Sequence, residues 1–181
     1  MGKPIDHNGN IVEGAHAVNN AAFAIHSRVH MARPDVNAVA HAHTKYGRAF
    51  SCLGQLLKPI SQDACMFYEN QGLFSTFTGV VADKDEGDMI AESLAQHCAV
   101  ILQNHGLITV GSSVDAAVAN FILMDSCCQS QLLAQAAGSL TLIEHDIALK
   151  TRASNGSELV TWGNFQPLYA MLEDRDPSFL E

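Results

Sequence analysis

Positive charge is scarce in this chain. Only 10 of its 181 residues are lysine or arginine, against 19 acidic residues, so the formal net charge at pH 7 is −9. Because binding to nucleic acid needs clustered cations that contact phosphates, this balance argues against a nucleic-acid partner. No apolar run approaches the ~18–20 residues that span a bilayer, and the N-terminus lacks the charged-then-apolar pattern of a signal peptide. We therefore expect a soluble, cytoplasmic protein that does not associate with a membrane.

Paired cysteine motifs are absent as well. The five cysteines form no C-x-x-C pair, and their odd number and scattered spacing are typical of reduced intracellular thiols rather than a disulfide framework. The sequence also contains no internal repeat and no low-complexity tract, while 48% of its residues are hydrophobic. A chain of this length and composition can bury a sizeable core, so we predict a single globular domain over residues 1–181.

What the chain does contain is a pair of histidines in an apolar run, Val39-Ala-His41-Ala-His43-Thr44. Along a strand, alternation would place His41 and His43 on one face and the small alanines on the other, where a helix can pack. Neutral imidazole is a common zinc ligand, so this pair could bind one metal ion if a third ligand came from elsewhere in the fold. Taken alone, the pair is equally compatible with satisfied polar packing.

His105 is the best candidate for the third ligand. It lies in Asn104-His105-Gly106 between two apolar, β-rich runs, residues 100–102 and 107–110. This pattern predicts a hairpin with the imidazole at its tip. A third histidine in such a setting favours a metal site over polar packing.

A second pair of histidines lies on a predicted helix. Apolar residues at helical spacing predict this helix over residues 17–33, ended by Pro34. His26 and His30 lie one turn apart on it and could bind a metal, but no carboxylate motif or third ligand accompanies them. We interpret them as structural or solvent-facing histidines.

The remaining segments predict an alternation of helices and strands. Ser112-Ser-Val-Asp115 has the pattern of a capping box and opens the longest helix, which ends at Gly138. The turn residues of His7-Asn-Gly-Asn10 predict a short N-terminal hairpin. The other predictions, in chain order, are a short helix over 46–53, a strand over 56–60, a β-rich stretch over 74–81, a helix from Asp85 to about His97, and a polar helical stretch around 144–146. The aromatic segment over 162–169 is too apolar to stay free in water, so we expect it to dock on its own sheet or on a neighbouring subunit.

Two of these segments together resemble a known family. Arg33-Pro-Asp-Val-Asn-Ala-Val-Ala-His41-Ala-His43, followed further along the chain by Leu102-Gln-Asn-His105-Gly-Leu, is similar to the class II aldolase/adducin-domain family, which includes L-fuculose-phosphate aldolase-like and L-ribulose-phosphate 4-epimerase-like members. The resemblance runs from about Ile5 to Gly138, and Trp162-Gly-Asn-Phe-Gln-Pro-Leu-Tyr169 resembles the tail of the fungal-type members. It implies an α/β fold of three αβα layers, in which helices flank a central, mostly antiparallel sheet.

The resemblance also implies a chemistry. By it, His41, His43 and His105 hold a zinc ion, or another divalent metal, which binds a small substrate. Such an ion polarises a carbonyl oxygen and stabilises the enediolate formed when a carbon–carbon bond breaks. We therefore predict a zinc-dependent lyase that acts on a small hydroxy-carbonyl or hydroxy-acid substrate, by aldol cleavage or related carbon–carbon bond chemistry. The alternative is a non-catalytic, adducin-like metal-binding or interaction domain. A pure interaction scaffold has no physical need for three converging imidazoles.

The resemblance bears on the proton-transferring groups as well. It places the segment from Tyr46 to Asp63 along the active-site rim, so Asp63, Tyr68 and Glu69 are candidate proton carriers, although each is also compatible with an ordinary surface or turn residue. In the resembled aldolases a glutamate, and in the epimerases an aspartate, lies nineteen residues before the first histidine of the pair, and here Ala22 occupies that position. We therefore expect feeble enolisation of sugar phosphates, unless one of these groups, Glu13 or another tyrosine acts as the base.

The assembly is the last feature that the resemblance implies. Family members normally carry an opening segment with a helix, the first strands and an anion-binding loop, and this sequence begins after it. We therefore expect an N-terminally short member, natural or shortened, whose sheet lacks an edge and whose anionic substrates are met by the metal and local amides. Family members form rings of four with the pocket near subunit contacts, so we expect a homo-oligomer, either a tetramer or a dimer.

Overall fold

A computed structural model describes residues 5–6, 9–13, 18–77, 79 and 84–180. Over these ranges the chain alternates between helices and strands. The helices are α1 (Asn20–Ala32), α2 (Lys45–Ser51), α3 (Lys84–Leu94), α4 (Val114–Ala137), α5 (His145–Asn155) and α6 (Glu158–Arg175), with 3₁₀ turns at Ala64–Phe67 and Pro177–Leu180. The strands are β1 (Ala38–Ala42), β2 (Gln71–Phe74), β3 (Ala99–Leu102) and β4 (Gly106–Gly111).

The four strands form one sheet in the order β1-β4-β3-β2. β4 pairs antiparallel with both β1 and β3, and β2 pairs parallel with β3, so the sheet is mostly antiparallel, as the resemblance implies. The register sets Ala42 opposite Leu107 and Leu102 opposite both Gly106 and Phe74. One end of the sheet therefore collects the end of β1, the β3–β4 turn and the end of β2.

One face of the sheet packs against α1 and α3. Ile25 and Val29 of α1 lie one turn apart, as do Ile90 and Leu94 of α3, and all four are buried. This spacing gives each helix an apolar stripe that contacts the sheet. The sheet residues in the same cluster are Phe74, Val100, Leu102, Ile108 and Val110.

The opposite face packs against α2 and α4. The predicted start of α4 is confirmed, because Ser113 caps the helix by accepting a hydrogen bond from the main-chain N–H of Ala116. Phe121 and Cys128 of this helix are buried, whereas Ile122 is 45% exposed. The buried stripe instead continues through Met124, so Ile122 falls just outside it. The result is a three-layer αβα fold.

The predicted strand over residues 56–60 is wrong. The structure has no strand there, because the main chain bonds to side-chain amides instead of to a neighbouring strand. Leu57 donates its N–H to Gln71 Oε1 at 3.0 Å and accepts from Gln71 Nε2 at 2.9 Å. Lys58 N–H donates to Gln131 Oε1 at 2.8 Å. These amides satisfy the polar groups that a strand partner would otherwise satisfy.

Three other boundaries differ from the predictions. β2 ends at Phe74, and residues 75–77 are not in a strand, while 78, 80 and 81 lie outside the described residues. α3 ends at Leu94 rather than at His97, because Ala95 adopts a left-handed conformation with φ of 47°. Of the N-terminal hairpin the structure describes an isolated antiparallel bridge between Ile5 and Ile11, and His7 and Asn8 lie outside the described residues.

The aromatic segment over 162–169 is part of α6, which packs along α4 rather than on the sheet. Gln166 Nε2 donates to Asp115 Oδ2 at 3.2 Å across this contact. Trp162 remains 51% exposed, so docking within the chain covers only part of the apolar surface of α6. Among the described residues, none of the helices has the length and apolarity needed to cross a membrane.

Candidate metal centre

His41 and His43 share a face of the sheet because of the strand alternation of β1. Val39, on the same face, packs into the core beside α1 and α3, whereas Ala40 packs on the α4 side. β1 ends at Ala42, so His43 is the first residue beyond the strand. The predicted division between a histidine face and a flat alanine face is therefore confirmed.

His105 lies at the tip of the β3–β4 hairpin, as predicted. Its N–H donates to the carbonyl of Leu102 at 3.0 Å, and Asn104 before it takes a left-handed conformation with φ of 60°. A Cβ placed at Gly106 would lie 3.4 Å from the carbonyl oxygen of Ala42. That distance is an ordinary van der Waals contact, so the hairpin tip lies directly beside the end of β1.

The three imidazoles converge on one point. Their ring centroids are 4.8–5.1 Å apart, with interplanar angles between 73° and 83°. One ligand nitrogen from each of His41, His43 and His105 lies within 4.8 Å of the others. The Nε2 atoms of His43 and His105 are 2.8 Å apart, so without a metal a single proton must lie between them.

The protonation states suit a metal ion. His41 Nδ1 lies 2.8 Å from the carbonyl oxygen of Leu107, so Nδ1 carries the proton and Nε2 keeps its lone pair. Burial lowers the pKa of His41. Burial, with the neighbouring His41 and His43, lowers the pKa of His105 to about 4. His41 and His105 are therefore neutral at pH 7, and neutral imidazole is the form that binds a metal.

The donor set fits a divalent transition metal. Three imidazole nitrogens, with no carboxylate or thiolate in the group, are compatible with zinc and leave a position open for a substrate or water. A closed structural zinc site would need a fourth protein ligand, which the described residues do not supply at this point. Three protein ligands with one position left open is the arrangement that catalytic zinc sites use.

A carboxylate on α4 holds the end of β1 in place. Asp125 Oδ1 accepts from Thr44 Oγ1 at 2.5 Å and from the N–H of Gly47 at 2.7 Å. A Cβ at Gly47 would lie 2.7 Å from Thr44 Oγ1 and 2.8 Å from Leu107 Cδ1, so only glycine fits there. The sequence pattern of α4 does not distinguish Asp125 from a solvent-facing acid, so this role could not be predicted from it.

The triad opens into a cavity of about 610 Å³. Ala22 lines this cavity, which agrees with the register that places it where the resembled aldolases carry an acid. The described lining residues include no carboxylate and a single cation, Arg48. The full set is Asn19, Ala21, Ala22, Ile25, His41, His43, Arg48, Phe77, Gly79, Asn104 and His105.

The three candidate proton carriers lie elsewhere in this chain. Tyr68 and Glu69 precede Gln71, which pairs with Ala99 at the end of the sheet opposite the triad. There the hydroxyl of Tyr68 lies 3.0 Å from His145 Nδ1, and Glu69 Oε1 lies 3.7 Å from the same nitrogen.

Asp63 lines a separate cavity of about 400 Å³ that α4 and α6 border. Within one chain, the structure therefore does not bring Asp63, Tyr68 or Glu69 to the converging histidines.

The helical histidines are not part of the triad. His30 Nδ1 lies 3.0 Å from the carbonyl oxygen of Val36, which fits the structural interpretation. Burial lowers the pKa of His26, and His41 and His30 lower it further. Neither belongs to the group of converging ligand nitrogens.

Comparison with known proteins places these features in context. Residues 4–132 match the family described as Class II Aldolase and Adducin N-terminal domain. The chain is 51% identical over 166 residues to the decarboxylase NovR of Streptomyces niveus, an alignment that covers 92% of this chain and 62% of that protein. It is 49% identical over 166 residues, 92% of this chain and 60% of that protein, to the 4-hydroxy-3-prenylphenylpyruvate oxygenase/4-hydroxy-3-prenylbenzoate synthase of Streptomyces roseochromogenus subsp. oscitans.

A solved structure shares the fold. The L-fuculose 1-phosphate aldolase from Glaciozyma antarctica PI12 superposes with a TM-score of 0.88 at 38% identity, covering 96% of this chain and 68% of that one. Against the two Streptomyces proteins, the chain spans about 60% of their length.

Proposed function

The chain belongs to the class II aldolase and adducin N-terminal domain family, and from that premise we propose that it is a zinc-dependent lyase. It cleaves a carbon–carbon bond in a small hydroxy-carbonyl or hydroxy-acid substrate. The observation that carries this proposal is the convergence of His41, His43 and His105 at the base of a cavity large enough for such a molecule.

A non-catalytic, adducin-like metal-binding or interaction domain is the alternative within the family. His41 and His105 are half-buried, which costs desolvation energy, and the Nε2 atoms of His43 and His105 face each other at 2.8 Å. An interaction domain has no need for that cost, since surface complementarity alone would serve it. The intact triad therefore argues against a pure interaction domain, and the substrate panel below separates the enzyme from a metal-binding domain without turnover.

Each part of the site has a distinct task in the proposed reaction. His41, His43 and His105 would hold the metal, with the Leu107 carbonyl fixing the tautomer of His41. When bound, zinc supplies Lewis-acid polarisation of a substrate carbonyl or hydroxyl oxygen. Ile25 and Phe77 form apolar walls that limit water around the reacting bond.

The lining of the cavity favours some reactions over others. Sugar-phosphate enolisation needs a base beside the metal, and Ala22 removes the acid expected there while no other carboxylate lines the described cavity. Decarboxylation, or cleavage of an already activated substrate, depends less on such a base. The names of the two Streptomyces relatives, a decarboxylase and an enzyme of a prenylated phenylpyruvate, support this choice.

Asp63, Tyr68 and Glu69 can serve catalysis only across a subunit contact. Tyr68 and Glu69 lie at the far end of the sheet and Asp63 lines a separate cavity, so none of them reaches a substrate held by the histidines of the same chain. We therefore propose that these three residues act as proton carriers only in a homo-oligomer, either a tetramer or a dimer. In such an assembly, a neighbouring chain would present them to the cavity. Tyr68, already within hydrogen-bond distance of His145, is the best placed for proton transfer.

A substrate panel tests the proposal. Zinc-loaded wild type is incubated with hydroxy-aromatic acids, 2-oxo acids and hydroxy-ketone phosphates, and carbon dioxide release and aldehyde formation are measured. We expect turnover of at least one acid, loss of it in His105→Ala, and retention in His97→Ala, a histidine outside the triad. Turnover that survives in His105→Ala contradicts the proposal.

A further inference from the structure

We propose that Arg48 binds the carboxylate of an aryl-substituted 2-hydroxy- or 2-oxo-acid, whose ring lies against the apolar wall of the triad cavity. The inference deepens the proposed function and rests on it, because it names the class of substrate that the same cavity takes.

The guanidinium of Arg48 is free to bind a ligand. Arg28, Arg33 and Arg152 are each held by an ion pair or by hydrogen bonds to main-chain carbonyl oxygens. The side chain of Arg48, in contrast, makes no hydrogen bond or ion pair with any residue that the structure describes. It projects from α2, just beyond the metal-binding strand, and lines the cavity with the three histidines.

The charge of the cavity selects an anion. Arg48 is the only charged side chain among the described lining residues, so the site is positive even before a metal binds, within a chain of net charge −9. A guanidinium presents two parallel N–H donors that match a carboxylate. The expectation that anionic substrates are met only by the metal and local amides is therefore incomplete.

The shape and polarity of the remaining wall select an aromatic body. Ala22, Ile25 and Phe77 are among the apolar residues of the lining, and Phe77 offers a ring that is 52% exposed. Sugar hydroxyl groups placed against these side chains would lose water without gaining partners there, which is unfavourable. An aryl group gains from the same contacts. Ala22 also avoids the like charge that an acid would place near the substrate carboxylate.

A matched set of ligands separates charge from shape. Binding of mandelate, its neutral methyl ester, lactate and dihydroxyacetone phosphate to zinc-loaded wild type is measured by calorimetry. The same titrations use Arg48→Gln, Arg48→Lys and, as the control, Lys45→Gln, which removes a positive charge from the same helix at a side chain outside the described cavity lining. Circular dichroism verifies that each variant is folded.

We expect mandelate to bind more tightly than either its ester or lactate. Arg48→Gln should weaken mandelate binding about tenfold, since a charge-assisted hydrogen bond at an exposed site is lost, and should leave the ester unchanged. Arg48→Lys should recover part of the loss, and Lys45→Gln should match wild type. Equal mandelate affinity in wild type and Arg48→Gln overturns the inference. It is also overturned if Arg48→Gln weakens the binding of dihydroxyacetone phosphate but not the binding of mandelate.

The metal content of the samples distinguishes failure of the inference about Arg48 from failure of the proposed function. Elemental analysis of the same samples reports whether zinc binds, independently of any ligand. If zinc does not bind, the proposed function fails, while the difference between wild type and Arg48→Gln for mandelate still tests Arg48. If zinc binds and that difference is absent, only the inference about Arg48 fails.

Discussion

Ala22 determines how the cavity can handle protons. Its side chain lies in the wall of the triad cavity and carries no ionisable group, so a substrate proton has no carboxylate to accept it from within the described lining. This is a consequence of one residue rather than of the fold, since the surrounding helix α1 and strand β1 form as the resemblance implies.

Introducing a base at this position should restore enolisation. We expect Ala22→Glu to exchange the α-proton of dihydroxyacetone phosphate with deuterium about 10²–10⁴ times faster than wild type, the usual contribution of a positioned general base. NMR in deuterium oxide measures the exchange. Ala22→Gln, of the same size but without the base, is the control and should stay slow. Rapid exchange by wild type with no gain in Ala22→Glu would show that an unrecognised base is present.

Asp125 is the residue that positions the second histidine. Because its carboxylate bonds both Thr44 Oγ1 and the N–H of Gly47, Asp125→Ala should leave buried polar groups unpaired and lower the free energy of unfolding by about 1–3 kcal/mol. Zinc affinity should fall as well, since His43 directly precedes Thr44. Urea denaturation and zinc titration measure the two effects.

A double-mutant cycle with Thr44→Val provides the control for this effect. If Thr44 and Asp125 act through their mutual hydrogen bond, the double variant should lose less stability than the two single losses added together. Strict additivity, or unchanged zinc affinity in Asp125→Ala, would contradict a positioning role.

At the scale of elements, the predictions succeeded where a pattern is local and failed where a distant side chain intervenes. The hairpin that carries His105 follows from two apolar runs around a turn, and α4 follows from its cap. The strand predicted over 56–60 fails because Gln71, on a later strand, satisfies the main chain of Leu57. The spacing of apolar residues within 56–60 does not indicate that Gln71 is the hydrogen-bond partner.

Gln71 should therefore be critical for the segment over 56–60. Its buried amide makes two hydrogen bonds to Leu57, and Gln71→Leu leaves both main-chain groups without partners. We expect a loss of about 2–5 kcal/mol in the free energy of unfolding, measured by urea denaturation. Gln55→Leu is the control, because Gln55 makes only a long 3.4 Å contact to Gln135 and should change stability little. Equal losses in the two variants would show that the amide of Gln71 is not what holds the segment.

At the scale of the whole molecule, the convergence of the three histidines could be predicted and their surroundings could not. His41, His43 and His105 lie in local motifs, so strand alternation and a hairpin are enough to bring them together. Arg48 and Asp125 join the site through α2 and α4, whose arrangement depends on packing that no short motif encodes. Asp63, Tyr68 and Glu69 were assigned to the rim by resemblance, and a single chain places them elsewhere.

Assembly is the feature of the whole molecule that remains a prediction. Leu159, Trp162 and Met171 of α6 are 51–76% exposed, which is more apolar surface than a free helix usually presents. We expect light scattering to give a dimer or tetramer at micromolar concentration, and Trp162→Glu to weaken it. Leu53→Glu, at an exposed leucine after α2, is the control. A strict monomer in the wild type would remove the subunit-contact role of α6.

Metal content tests the central claim most directly. Elemental analysis of purified protein, dialysed with zinc and then against buffer, should give about one zinc per chain in the wild type, as expected for three converging imidazoles. His41→Ala, His43→Ala and His105→Ala should each lose most of the metal, and His97→Ala should keep it. Absence of metal from the wild type, or undiminished metal in His105→Ala, would contradict the claim that these three histidines form the metal centre of a lyase.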